Sequence, residues 1–219
     1  MIIGIVGFIG SGKGTMGDIL NEDHHFKKVS FAQGLKDVTS EMFGWKRDLL
    51  EGDTEESREF RETPCEYWSA KMGRPFTPRE ALQKVGTECG RDIFHKDFWI
   101  LQLENYINKN FDELDDIVIT DVRFPNEIEW IHSKGGIVVE VTRGHNPVWY
   151  YDLYENVNDY DFRKELMKQF EVHESEWAWI GQKVDYTLVN DSTLENLKDN
   201  VKFTLTQVPK DTTIFHHQV

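Results

Sequence analysis

Cysteine is scarce: Cys65 and Cys89 are the only two in 219 residues, so at most one disulfide can form. No Cys or His group has zinc-ligand spacing, and this usage suits a reducing cytosol. The neighbouring pairs His24-His25 and His216-His217 point apart in regular structure and read as surface residues. Basic charge is also short, with 25 Lys and Arg against 39 Asp and Glu and a net charge of −14. That balance excludes a protein whose whole surface grips DNA, RNA or an anionic membrane, while leaving room for a small anionic substrate in a local basic pocket. Long apolar runs are missing. The stretch Met1 to Ile9 has no basic head and is roughly half the length needed to span a bilayer, so it reads as a buried strand rather than a targeting segment. No Pro-, Gly- or Ser-rich linker and no repeat divides the chain, which favours a single domain. Large side chains, by contrast, are plentiful: seven Trp, fourteen Phe and a hydrophobic fraction of 39% predict a folded core.

Hydrophobic periodicity lays out alternating strands and helices. Ile2 to Phe8 is a β-branched run ended by a Gly-rich turn, and Lys13 to Asn21 follows as helix. Val29 to Phe31 reads as a second strand, and Leu35 to Phe43 as a helix with Leu35, Val38, Met42 and Phe43 on its buried side. The charge-dense stretch Asp48 to Glu66 reads as a solvated, partly helical excursion outside the core. Thr77-Pro78-Arg79-Glu80 announces a helix, with Thr at the N-cap, Pro at the first helical position and Glu three residues after the cap. Ala81, Leu82 and Val85 supply its buried face. Further helices are expected over Asp97–Asn108, Asn126–Ser133, Phe162–Phe170 and Thr193–Thr206, and strands over Ile117–Thr120, Ile137–Val141 and Tyr186–Val189. Between Arg143 and Glu176 only the Phe162–Phe170 helix looks regular, and the final residues are expected to fray. The βαβ rhythm predicts a parallel sheet with helices on both faces.

The strongest chemical signal is Gly7-Phe8-Ile9-Gly10-Ser11-Gly12-Lys13-Gly14-Thr15, placed between the first strand and its helix. Glycines let such a loop wrap so that successive N–H groups face phosphate oxygens. The following helix offers its positive end, and the Lys reaches the terminal phosphates. Gly14 stands where Ser or Thr usually binds Mg²⁺, with the hydroxyl one residue later at Thr15. This variant resembles the loop of nucleoside monophosphate kinases, and it assigns Thr15 to phosphate and Mg²⁺ largely to water, with no protein metal-ligand set.

Asp121 follows the strand Ile117–Thr120 and so belongs at the carboxyl edge of the sheet, where open α/β folds bind ligands. Arg123 lies two residues on, a candidate clamp on phosphate oxygens, and Glu127 one helical turn later. Lys36, Arg58, Arg61, Arg74, Arg79, Arg91 and Arg143 are further cations at loops or helix starts. Arg79 and Gln83 share a helical face and together suit a base edge or a phosphate. Trp99 and Trp68 are candidates to stack a base.

The chain resembles the bacteriophage deoxynucleoside monophosphate kinases. The resemblance rests on the phosphate loop, Ser30-Phe31-Ala32-Gln33-Gly34-Leu35-Lys36-Asp37, the segment Glu51-Gly52-Asp53 to Glu62, Arg79 to Asp92, Phe98-Trp99, Ile119 to Glu127 and His173-Glu174-Ser175-Glu176. Two positions depart from it: Gly14 stands where Asp is frequent, and Gln33-Gly34 replaces a turn that often contains Pro. The resemblance implies a three-layer P-loop NTPase/kinase fold with a parallel sheet of about five strands flanked by helices. An acceptor-nucleotide region is expected at 44–110 and a lid at 142–182, beginning with Arg143. It implies transfer of the ATP γ-phosphoryl group to a deoxynucleoside monophosphate, with Mg²⁺. Gly10, Ser11, Gly12, Lys13, Gly14 and Thr15 are expected on the ATP phosphates. Lys36, Arg58, Arg61, Arg79, Gln83, Gly86, Thr87, Trp99, Asp121, Arg123 and Glu127 are expected around the acceptor. Lys13, Arg123, Arg143 and Asp121 are expected to carry the chemistry.

Neither nucleic acid nor membrane is an expected partner, a homodimer is left open, and the expected location is the cytoplasm, that of the host if a phage encodes the chain. The competing readings are a kinase of another small acceptor, such as dephospho-coenzyme A or a sugar acid, and a non-catalytic nucleotide-binding regulator. An Asn-Lys-x-Asp guanine-reading sequence is missing, which weakens a GTPase switch.

Overall fold

A computed structural model describes residues 1–208, and the C-terminal residues expected to fray, with His216-His217, lie outside it. In chain order the elements are β1 (Ile2–Val6), α1 (Lys13–His24), β2 (Lys27–Val29), α2 (Gln33–Phe43), α3 (Glu55–Glu62), α4 (Glu66–Met72), α5 (Pro78–Gln83), α6 (Phe98–Asn110), β3 (Ile117–Ile119), α7 (Pro125–Ser133), β4 (Ile137–Thr142), α8 (Tyr150–Glu155), α9 (Tyr160–Gln169), β5 (Tyr186–Val189) and α10 (Leu194–Gln207). Short 3₁₀ turns occupy Asp48–Leu50 and Glu174–Glu176, and α5 runs on into wide helical turns over Lys84–Phe94. The chain divides into two compact units, Met1–Ser30 with Phe111 onward, and Phe31–Asn110.

The first unit is a three-layer α/β fold built on a sheet of order β2-β3-β1-β4-β5, every pair parallel. All five residues of β1 are buried, as a central parallel strand covered on both faces requires. Ile3 and Ile5 join Met16, Ile19 and Leu20 of α1, Val139 and Val141 of β4, and Leu197 and Val201 of α10 in one core. α7, carrying buried Ile128 and Ile131, packs on β1 and β4. Because all five strands run the same way, every loop that follows a strand emerges at one edge of the sheet. Those are the loops that carry Gly7–Thr15, Ser30, Asp121–Arg123, Arg143 and Asn190.

The second strand is Lys27–Val29 rather than Val29–Phe31, since Lys27, Lys28 and Val29 pair with Ile117, Val118 and Ile119. Phe31 is nonetheless buried. The stretch after β4 is more regular than expected, because α8 forms there and anchors itself through Trp149 and the fully buried Leu153.

The second unit is helical and closes on an aromatic core of Trp45, Leu50, Phe76, Ala81 and Leu82, with Phe43, Phe60 and Trp68 against it. Phe43 and Trp45 stack at 4.6 Å. The stretch Asp48–Glu66 is therefore not wholly outside the core: most of its charged residues are exposed, while Leu50 is fully buried and Phe60 packs against the core. The α5 start is as expected, with Thr77 Oγ1 accepting from Glu80 N at 3.1 Å and Pro78 in the first turn. The α2 face is as expected only in part: Leu35 and Phe43 pack against this core, but Val38 and Met42 are 46% and 56% exposed. The contact with α6 is made instead at Gly34, where a Cβ would come within 2.6 Å of the Gln102 side chain, so close approach of backbone decides which face turns inward.

Leu20 is completely buried in the core of the first unit. Leu20→Ala is expected to lower unfolding free energy by about 2–5 kcal/mol. Denaturant titration followed by circular dichroism measures the loss, and a change within about 0.5 kcal/mol would contradict this packing.

Candidate functional site

The phosphate loop leaves β1 through Gly7 (φ +141°) and enters α1 through Gly12 (φ +104°), both in backbone regions that side chains rarely tolerate. A Cβ on Gly7 would also lie 2.3 Å from the carbonyl oxygen of Val141. Ser11 N donates to Phe8 O at 3.2 Å and Met16 N to Gly12 O at 2.9 Å, closing the loop onto the helix. The Phe8 ring meets Trp149, Tyr150 and Trp179 edge-on, with centroids 5.7, 6.0 and 5.2 Å away.

Lys13 folds back over the loop, its ammonium donating to Gly7 O at 2.7 Å and Phe8 O at 2.8 Å. Burial, followed by the neighbouring Arg123 guanidinium, pushes its pKa down to about 8, against the opposing pull of Glu176 and Asp121. Ser11 is buried and its hydroxyl oxygen has no hydrogen-bond partner among the described residues. Gly10 and Gly14 look onto open space, and Thr15 is exposed in the first turn of α1. A half-buried cation, an unsatisfied hydroxyl and an open side fit a polyphosphate. For Mg²⁺ the donors are fewer: no group of three His, Cys, Asp or Glu that could hold a metal occurs among the described residues. Such an ion would draw its ligands mainly from phosphate and water.

At the neighbouring strand end Ser30 Oγ donates to Asp121 Oδ2 at 2.7 Å, holding that carboxylate beside the sheet edge. Arg123 forms an ion pair with Glu176 and donates to Ser175 O at 3.2 Å. Glu127 is 2% exposed and accepts from the backbone N–H groups of Arg123 at 2.7 Å and Phe124 at 3.1 Å. It therefore caps α7 and fixes the turn that presents Arg123. Arg143 is exposed, and its side chain has no hydrogen bond or ion pair among the described residues. This unit thus brings Lys13, Asp121 and Arg123 into one electrostatic cluster.

In the helical unit the candidate cations are largely matched. Lys36 bonds Glu51 at 2.5 Å, and Arg47 bridges Glu51 and Asp37. Burial works against ionisation of Glu51, yet Lys36 and Arg47 outweigh it and hold the carboxyl below its usual range. Arg61 donates to Glu51 O at 3.2 Å, and Arg79 pairs with Glu62. Arg74 is bidentate to Glu80. Arg58 is exposed, with no side-chain partner among the described residues. Gln83 ends α5, while Gly86 and Thr87 lie in the wide turns after it. Trp99 is 5% exposed, donates its indole N–H to Gly86 O at 2.8 Å and lies so close that a Cβ on Gly90 would strike it. Trp68 likewise donates to Phe43 O at 3.0 Å, so both indole N–H groups serve the fold.

Sequence reasoning missed two residues here. Glu176 lay in a recognised block without a role, and Asn190, whose amide donates to Ser11 O at 2.8 Å, read only as a turn residue. The one available signal for Asn190 was its place directly after a strand of a parallel sheet.

Residues 47–152 match the family model for deoxynucleotide monophosphate kinase. A provisionally named deoxynucleotide monophosphate kinase of Acanthamoeba polyphaga mimivirus is 32% identical over 154 residues, covering 65% of this chain and 74% of that protein. The chain belongs to the deoxynucleotide monophosphate kinase family. The deoxynucleoside-5'-monophosphate kinase of Escherichia phage T5 adds a shorter match, 55% identical over 57 residues, covering 26% of this chain and 22% of that one. Among solved structures, dephospho-CoA kinase from Campylobacter jejuni aligns over 94% of this chain and 96% of its own, at 13% identity and a TM-score of 0.45, too low to carry an argument. In this family member no helix among the described residues is long and apolar enough to cross a membrane.

The depressed pKa of Lys13 has a measurable consequence. Phosphate bound beside the ammonium favours its charged form, so nucleotide binding above about pH 8 draws a proton from solution. Affinity for ATP is therefore expected to be flat below pH 8 and to weaken above it. Calorimetric titration at pH 8.5, in buffers of different ionisation enthalpy, should show proton uptake, and identical heats in all buffers would refute it.

Proposed function

We propose that the protein transfers the γ-phosphoryl group of ATP to a deoxynucleoside 5′-monophosphate, giving ADP and the deoxynucleoside diphosphate. Family membership supports this, and one observation carries it at the level of chemistry. A glycine loop at the end of β1 holds a half-buried lysine ammonium against two of its own carbonyls, beside Arg123 and Asp121.

In this reading Gly10, Ser11, Gly12, Lys13, Gly14 and Thr15 take the donor phosphates. Lys13 exchanges its two carbonyls for phosphate oxygens, and Ser11 gains the partner its hydroxyl lacks. Mg²⁺, when bound, would neutralise phosphate charge, with Asp121, through water, as the protein group suited to it. An oxygen of the acceptor phosphate attacks the γ-phosphorus as the bond to ADP breaks. At neutral pH that oxygen carries no proton to be removed, so no general base is required. Catalysis then rests on positioning and on neutralising the equatorial oxygens, which assigns Lys13, Arg123 and Arg143 to charge stabilisation. Arg123 is available for this once it exchanges Glu176 for phosphate.

Segment 142–182 is the proposed lid, its exposed Arg143 at the root. The region 44–110, together with Lys36, is the proposed acceptor side: Lys36, Arg58, Arg61, Arg79, Gln83 and Thr87 are its candidate contacts. Gly86 and Trp99 shape the backbone between them. Glu127 acts by fixing the Arg123 turn.

Lys13→Ala and Arg123→Ala are each expected to lower turnover by about 10²–10³-fold or more in an assay of ADP release that requires a deoxynucleoside monophosphate, with the fold intact by circular dichroism. A folded variant that keeps near wild-type turnover would remove that residue from the mechanism.

A further inference from the structure

The turn after β5 makes contacts that its sequence does not announce. Asn190 N donates to Thr142 O at 2.8 Å, extending the β4–β5 pairing by one step and fixing the Asn190 backbone at the sheet edge. From that point its side-chain amide crosses to Ser11 O at 2.8 Å. The approach is close: a Cβ on Gly12 would sit 2.3 Å from Asn190 Nδ2, so the glycine and the asparagine occupy interlocking space. Next in the chain, Asp191 Oδ1 accepts from Gly144 N at 2.6 Å, directly after Arg143.

We propose that Asn190 is a positioning residue for the donor phosphate loop, and that the Asn190-Asp191 pair ties that loop to the base of the segment carrying Arg143. The proposal rests on the kinase reading above. In a planar trans peptide the carbonyl and the following N–H point in opposite directions. Holding Ser11 O against Asn190 therefore turns the Gly12 N–H away from Asn190, toward the side of the loop where phosphate is expected. Gly12, with φ +104° and no side chain, gives that peptide more freedom to rotate than another residue would, and the Asn190 bond to Ser11 O restrains it. Asn190 does not touch substrate. It lowers the cost of ordering the donor site.

The test is steady-state kinetics and ATP calorimetry on wild type, Asn190→Asp and Asn190→Ala. Asn190→Asp keeps the shape and the backbone bond to Thr142 but places an acceptor against an acceptor. Both variants are expected to weaken ATP binding and raise KM for ATP by about 10-fold, with KM for the deoxynucleoside monophosphate within about twofold of wild type. Should Asn190→Ala not fold, Asn190→Asp and Asn190→Ser carry the comparison. Unchanged ATP affinity in the folded variants, or an equal loss for both substrates, would overturn the proposal. If wild type binds ATP but does not phosphorylate the acceptor, the kinase reading fails instead, and ATP calorimetry still decides the role of Asn190.

Discussion

A half-buried lysine ammonium beyond the end of a hydrophobic strand is the costly feature around which the first unit is arranged. Lys13 is held by the carbonyls of Gly7 and Phe8, within the influence of Arg123, Asp121 and Glu176. To place it there, β1 must be central and wholly apolar, and Gly7 must pass against the Val141 carbonyl without a side chain. The parallel sheet then delivers Asp121, Arg123, Arg143 and Asn190 to the same edge. The loop is thus an electrostatic device before any ligand arrives. Burial lowers the pKa of its cation, and its hydroxyl at Ser11 has no hydrogen-bond partner among the described residues.

The acidic net charge takes a definite shape in this setting. Segments 41–66, 103–121 and 150–176 each carry −5, so the remainder, with the phosphate loop and most candidate cations, is close to neutral. Within the helical unit acidic residues are fitted to basic ones: Glu51 takes Lys36 and Arg47, Glu62 takes Arg79, and Glu80 takes Arg74. Such exposed or half-exposed pairs add little stability individually. They keep the guanidinium and ammonium groups ordered at defined places.

Much of this was legible in the sequence, for reasons that differ by element. The parallel sheet followed from short β-branched runs alternating with helical periodicity, and the phosphate loop from glycines fixed by backbone geometry. The α5 start was readable because Thr77, Pro78 and Glu80 each act locally. The inward face of α2 was not, since Gly34 gives way to Gln102 on α6, and a hydrophobicity pattern carries no trace of backbone approach. The wide turns over Lys84–Phe94 escaped notice for the same reason: Gly90 makes room for Trp99 from a later helix, and Gly86 for Leu35 of an earlier one. Glu176 and Asn190 act on partners 53 and 179 residues away, and no local pattern encodes such pairs.

This edge of the sheet is proposed to pass phosphate to a deoxynucleotide. ATP labelled at the γ-phosphorus, offered with Mg²⁺ and a panel of deoxynucleoside and ribonucleoside monophosphates, dephospho-coenzyme A and sugar acids, tests it directly. The account predicts label in a deoxynucleoside diphosphate and negligible loss of label without an acceptor. Label released as inorganic phosphate at the same rate with or without acceptor, or delivered only to one of the other acceptors, would contradict it.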